Sequence, residues 1–211
     1  MISIKNVSKA YKTQLLFDNI SLNLNFGERI LIKGVNGSGK SVLLKLIVGY
    51  SQPDQGSIEI DGVSYGKDFD FLPNSGVSIN EPDFLPQLSG LDNLLYLANI
   101  RKIATKESIL ELADRFDLKK DIHKKYRHYS MGMRQKMRLI QALMDEPDYL
   151  ILDEPFNALD QTATKITSKM LDEYVNKDRI MVYTDHTSEH DNLANRIYRI
   201  DSKELIEEKI I

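Results

Sequence analysis

The sequence predicts an α/β fold with a mainly parallel sheet, an antiparallel β subdomain and an inserted helical subdomain. Three observations carry this. Short alternating segments cluster near the N-terminus, at residues 2–8, 20–26 and 58–63. The runs Arg29–Lys33, Tyr149–Asp153 and Ile180–Tyr183 are apolar at strand length, and the last two read as strands buried on both faces. From about Leu91 to Lys125 the apolar residues fall at helical spacing instead.

Taken in order, Ile2, Ile4 and Val7 mark one half-buried strand, and Ile20, Leu22, Leu24 and Phe26 a second. Residues Ile58–Val63 contain Asp61-Gly62, a hairpin turn dipeptide. Arg29–Lys33 reads as a strand, and Val42, Leu43, Leu46 and Ile47 mark a helix just after it. Leu94, Leu95, Leu97 and Ala98, then Ile109, Leu112, Ala113 and Phe116, give the helical middle, with a subdomain at about 88–145. A helix from Ser130 to Met144, a helix over 161–175 and short strands from Ile197 to Glu208 complete one domain of 211 residues.

Composition removes several function classes. The net charge of −3 gives no broad basic field for nucleic acid. The absence of cysteine excludes disulfides, thiol catalysis and thiolate metal sites, and fits a reducing compartment. Met1–Tyr11 lacks the apolar core of a signal peptide, and no stretch approaches the ~18 apolar residues of a membrane span. The chain is expected to be cytoplasmic, reaching a membrane only through a partner.

Residues Gly34-Val35-Asn36-Gly37-Ser38-Gly39-Lys40-Ser41 match G-x-x-x-x-G-K-[ST], between a strand and a helix as that motif requires. Glycines let successive backbone N–H groups turn inward on an anion, and the helix dipole adds to the field. Lys40 suits the β- and γ-phosphates, and the Ser41 hydroxyl suits magnesium. A second constellation is Leu150-Ile151-Leu152-Asp153-Glu154-Pro155, which puts two carboxylates where a buried strand ends. Asp153 suits a magnesium contact, and Glu154 suits polarising the water that attacks a γ-phosphate. A third is Tyr129-Ser130-Met131-Gly132-Met133-Arg134-Gln135-Lys136, with Ser130 as N-cap and Gly132 allowing close approach. Alone, this third element is an ordinary capped helix. His186 and His190 stand four apart, a spacing that could hold a metal, but no third ligand is nearby.

In this order the elements resemble the ATP-binding cassette (ABC) ATPases over nearly the whole chain, with a P-loop NTPase core. The resemblance implies that Tyr11 stacks on adenine and that residues 34–42, Val42 included, form the Walker A loop. Asn80 falls at the Q-loop position beside magnesium, and Ser130 to Met133 match the signature motif. Asp153 and Glu154 match Walker B and the catalytic glutamate. Asn157-Ala158-Leu159-Asp160 matches the D-loop, with Asp160 near nucleotide, and His186 matches the switch histidine. ATP and Mg²⁺ are the implied cofactors. There are departures: Asn80 stands for glutamine, Met131 for glycine and Met133 for glutamine. The wording Ser-Met-Gly-Met-Arg-Gln, with Asn80-Glu81-Pro82, is similar to the branch of bacterial drug, lantibiotic and bacitracin-type exporters.

The resemblance further implies a head-to-tail dimer, with a second copy or a paralogous ATPase subunit, in which one subunit's signature covers ATP on the other's Walker A. It implies an integral membrane permease as partner, and the apolar segment with Phe84, Leu85 and Leu88 is the expected docking surface. The alternative is a soluble ABC ATPase that drives assembly or remodelling of a protein complex.

Overall fold

The computed structural model describes residues 1–11, 14–65, 70–80 and 84–208. Two sheets organise it. The first is antiparallel, in the order β2-β1-β4-β5, with β1 at Ile2–Tyr11, β2 at Gln14–Leu24, β4 at Gln55–Ile60 and β5 at Val63–Ser64. The hairpin dipeptide does what its chemistry requires: Asp61 has φ 48° and Gly62 φ 83°, and Ile60 pairs with Val63.

The second sheet has the order β10-β9-β3-β8-β7-β6. Its members are β3 (Arg29–Lys33), β6 (Ser75–Ser78), β7 (Tyr149–Leu152), β8 (Ile180–Asp185), β9 (Arg196–Asp201) and β10 (Glu204–Glu208). All neighbours pair in parallel except β10, which runs antiparallel to β9. The continuous apolar runs now have a reason, because alternate residues enter two different cores. Leu31, Leu150, Leu152, Met181 and Tyr183 pack among the helices. Ile30, Ile32, Ile151 and Val182 pack with the antiparallel sheet and α1 (Lys40–Val48).

The helices are α1, α2 (Gly90–Arg101), α3 (Lys106–Arg115), α4 (Met131–Leu143) and α5 (Gln161–Tyr174). Each of the last four starts on a side-chain cap, from Ser89, Thr105, Ser130 and Asp160 respectively. Three sequence expectations need correcting. The helical middle ends at Arg115, and the stretch to Lys125 is turns, because Phe116 and Leu118 pack inward without helical continuation. The second strand starts earlier, at Gln14, and leaves out Phe26, which lies in a turn against Tyr149. Strand β6 has too little apolar signal to be read. Its Gly76 is required by close packing: a Cβ there would lie 1.8 Å from the Ala142 carbonyl oxygen of α4.

Candidate functional site

Strands β3, β8 and β7 are neighbours, and their carboxyl ends bring the sequence motifs together. Gly34 to Gly39 form the loop between β3 and α1, with Lys40, Ser41 and Val42 in the first turn of α1. α1 is the one α-helix among the described residues whose N-cap, Gly39, offers no side-chain acceptor. Its first-turn N–H groups therefore face outward without a capping oxygen, which is the chemistry of an anion site. Gly39 has φ 107°, and a Cβ there would lie 2.8 Å from the Phe17 ring, so the loop rests on an aromatic floor. The Ser38 hydroxyl is buried without a hydrogen-bond partner, an orphan that a phosphate oxygen fits. Asn36 and Gly37 are exposed on the loop. The buried Lys40 ammonium donates to the Gly34 carbonyl at 2.8 Å.

Glu154 sits between Lys40 and His186. Its Oε1 lies 4.0 Å from Lys40 Nζ and 3.7 Å from His186 Nδ1. Its backbone is left-handed, φ 47°, and that uncommon conformation is held from three directions. Its N–H donates to the Thr184 hydroxyl at 2.9 Å, and the Asn157 amide donates to its carbonyl at 3.1 Å. Buried Gln135 of α4 donates to the next carbonyl, Pro155, at 2.9 Å. Thr184 also donates to Asp153 Oδ1 at 2.7 Å, which orients the Asp153 carboxylate. The Asp153 amide donates to Ser78 of β6 at 2.7 Å. Asn80 follows β6, exposed and left-handed at φ 58°.

Other predicted residues lie elsewhere. Tyr11 is exposed at the end of β1. Ser130 spends its oxygen on the Met133 amide at 3.2 Å, so this helix start is partly capped rather than fully open. Gly132 faces the D-loop, where a Cβ would lie 3.0 Å from the Ala158 carbonyl oxygen. The Asp160 carboxylate caps its own helix through the Ala163 amide at 2.8 Å. Glu81 and Pro82 lie outside the described residues.

The idea of a histidine metal pair does not survive. His190 is buried, stacked on Phe156 and bonded to Asp185, while His186 is half exposed beside Glu154. No group of three or more His, Cys, Asp or Glu converges among the described residues. A magnesium ion that borrows phosphate oxygens and waters needs only one or two protein oxygens, and Ser41 with Asp153 fits that demand. Phe84 is more deeply buried than the sequence reading expects: its ring packs 5.1 Å from Tyr126 and lines the floor of a groove, whereas its neighbour Leu85 is exposed there. Sequence reasoning missed Thr184, Gln135 and Lys33. For Thr184 the available signal was a polar side chain inside the otherwise apolar strand Ile180–Asp185.

A phosphate loop, an acidic strand end and a half-exposed histidine on adjoining parallel strands define a nucleoside-triphosphate-hydrolysing protein with this fold. Comparison with known proteins gives the family. The family model described as "ABC transporter" matches residues 17–157. The ABC transporter ATP-binding protein YybJ of Bacillus subtilis (strain 168) is 34% identical over 189 residues, which is 90% of this chain and 87% of YybJ. The bacitracin transport ATP-binding protein BcrA of Bacillus licheniformis is 29% identical, over 99% of this chain and 69% of BcrA. Two other B. subtilis relatives are longer, and the chain covers 54% and 53% of them. Among solved structures, the ATP-binding cassette MJ0796, dimeric in a post-hydrolysis state with ADP and Pi, superposes with a TM-score of 0.87. It is 25% identical, over 100% of this chain and 99% of that one. The chain belongs to the ABC transporter family and is an ATPase of the ATP-binding cassette class.

Proposed function

We propose that this chain is the nucleotide-binding subunit of a transporter, a reading carried by one observation: Glu154 Oε1 stands 4.0 Å from Lys40 Nζ and 3.7 Å from His186 Nδ1. Lys40 and the loop amides of Gly37, Gly39 and Ser41 hold the β- and γ-phosphates, and Tyr11 stacks on the base. Magnesium, when bound through Ser41 and Asp153 with Asn80 nearby, supplies charge neutralisation on the phosphates. Glu154 orients and polarises the attacking water, and His186 donates to the γ-phosphate, where charge develops. The strained Glu154 backbone, fixed by Thr184 and Gln135, pre-sets the carboxylate so that little ordering remains for the reaction step.

Ser130, Gly132 and Asp160 serve a second subunit in a head-to-tail dimer. The dimeric post-hydrolysis MJ0796 cassette supports that reading. The name of BcrA, a bacitracin transport protein, supports a role in export of a peptide-like or amphipathic compound. Glu154→Gln tests the site and the dimer together. The amide keeps the shape but cannot act as base, so hydrolysis should fall by about 100-fold or more while ATP binding persists. Gel filtration with ATP and magnesium should then show accumulated dimer; monomer alone counts against the assignment.

The permease meets the groove of about 480 Å³ beside β6 and α2, lined by Tyr50, Val77, Ile79, Leu85, Tyr96 and Leu97 among others. Tyr50, Leu85 and Tyr96 are exposed there, and no described helix is long and apolar enough to cross a membrane. Asn93 braces the groove, accepting from the Leu85 amide at 2.8 Å and donating to its carbonyl at 3.1 Å. Leu85→Asp should release the subunit from its membrane partner in co-purification while nucleotide binding stays intact. Full co-purification would place docking elsewhere, whereas a soluble remodelling ATPase would show no membrane partner to release. The helical region at about 88–145, read as a subdomain, contributes Asn93, Tyr96, Leu97 and Gln141 to this surface, and the rest comes from residues that precede it.

A further inference from the structure

The loop that carries His186 is tied down by side chains whose purpose the reaction scheme does not yet use. Strand β8 ends on Asp185, only 5% exposed and adjacent to His186. Asp185 Oδ1 accepts from the Thr187 amide at 2.7 Å and the Thr187 hydroxyl at 3.0 Å. Its Oδ2 meets His190 Nδ1 at 2.5 Å. A carboxylate only accepts, so the imidazole is the donor in this pair. The His190 ring lies flat on Phe156, with centroids 3.7 Å apart and planes at 12°. Phe156 stands two residues beyond Glu154, and the Tyr183 hydroxyl donates to the His190 carbonyl at 2.8 Å. Buried Lys33, the residue before Gly34, donates to Asp191 at 2.8 Å and to Ser188 at 2.9 Å.

His186 faces a conflict. Its Nδ1 is 3.7 Å from Glu154 Oε1 and 4.0 Å from Asp185 Oδ1, so two carboxylates compete for one imidazole. A buried carboxylate short of donors attracts such a neighbour strongly, because desolvation leaves it unsatisfied. We propose that His190 is a positioning residue for ATP hydrolysis: by engaging Asp185 and stacking on Phe156, it keeps His186 turned toward Glu154 and the γ-phosphate. This rests on the roles given above to Glu154 and His186. A purely structural cluster would behave differently, since removing both members of the Asp185–His190 pair would then be at least as harmful as removing one.

Double-mutant kinetics on the full chain separate the two. His190→Phe keeps a ring for the stack and removes the donor. Its kcat for ATP hydrolysis should fall about tenfold with KM for ATP changed less than about twofold. Adding Asp185→Asn removes the competing charge and should restore kcat to within about threefold of the wild type. His190→Gln, whose amide can donate to Asp185, should lose less than His190→Phe. The proposal is overturned if His190→Phe keeps wild-type kcat, or if the double variant is no faster than the single one. His190→Leu carries the same comparisons if the phenylalanine variant does not fold. His186→Ala is the control for the underlying reading. Normal kcat there removes the role of His186 itself, whereas loss there with an unaffected His190→Phe removes only the positioning role.

Discussion

The phosphate loop and the loop 185–191 follow neighbouring parallel strands, β3 and β8, yet they are held by opposite means. The first is fixed through its backbone: glycines with positive φ, a helix start without a capping side chain, and an aromatic floor beneath Gly39. The second is fixed almost wholly by side chains, through Asp185, Thr187, His190 and Lys33 with their partners. A ligand that offers several negative oxygens is best met by repeated N–H groups, which cost no side-chain ordering when they bind. A single imidazole that must point one way is best fixed by directional contacts around it. On the proposed roles, one loop is a surface that binds and the other a device that aims.

That separation also explains what could be read in the sequence. Gly34 to Ser41 were legible because backbone recognition demands glycine at fixed spacing, and Asp153 and Glu154 because an apolar strand ends on them. Thr184 and Gln135 were not legible, since their partners at Asp153 and Pro155 lie 31 and 20 residues away. The depth of Phe84 is not legible because a loop composition does not tell which of two adjacent apolar residues turns inward. Strand β6 escaped because its Gly76 serves the helix above it rather than any strand propensity. The helical middle was overextended because turns that bury Phe116, Leu118 and Ile122 imitate helical spacing.

The comparison breaks most sharply at Lys40. It is the one cationic side chain within the phosphate loop motif, and its ammonium lies between the Gly34 carbonyl and Glu154. Lys40→Ala should abolish measurable ATP hydrolysis, a loss of about 100-fold or more, while the fold is kept. Steady-state hydrolysis close to wild type would mean that the backbone amides alone suffice and that the loop needs no side-chain charge.

A smaller effect separates glycines that shape the loop from those that only permit its turn. At Gly39 an added methyl meets both a left-handed backbone and the Phe17 ring at 2.8 Å. At Gly37 the backbone is also left-handed, φ 81°, but a Cβ would meet no atom within 4 Å. Gly37→Ala should therefore cost about 1 kcal/mol of stability from strain alone. Gly39→Ala should cost about 1–3 kcal/mol more, or a further fall in Tm of roughly 2–4 °C per kcal/mol, by calorimetry. Equal losses would show that Phe17 moves aside and that the aromatic floor does not shape the loop.

The smallest effect belongs to the side-chain-held loop under acid. Burial raises the pKa of Asp185, but hydrogen bonds from the Thr187 amide, His190 and the Thr187 hydroxyl outweigh it, leaving the carboxyl below its ordinary 3.8. A carboxyl whose folded pKa is depressed contributes stability that is present above its unfolded value and is lost as the pH falls through the folded one. The contribution of Asp185 is thus intact at neutral pH and disappears below about pH 4. Asp185→Asn has no charge to protonate, so across that window its stability should decline less steeply than that of the wild type. The phosphate loop contains no carboxylate between Gly34 and Ser41, so Gly37→Ala should keep the wild-type acid slope. Denaturant midpoints measured from pH 6 to pH 3 give both slopes. Parallel decline of Asp185→Asn and wild type would mean that Asp185 is held by packing against its neighbours rather than by the charge its donors stabilise.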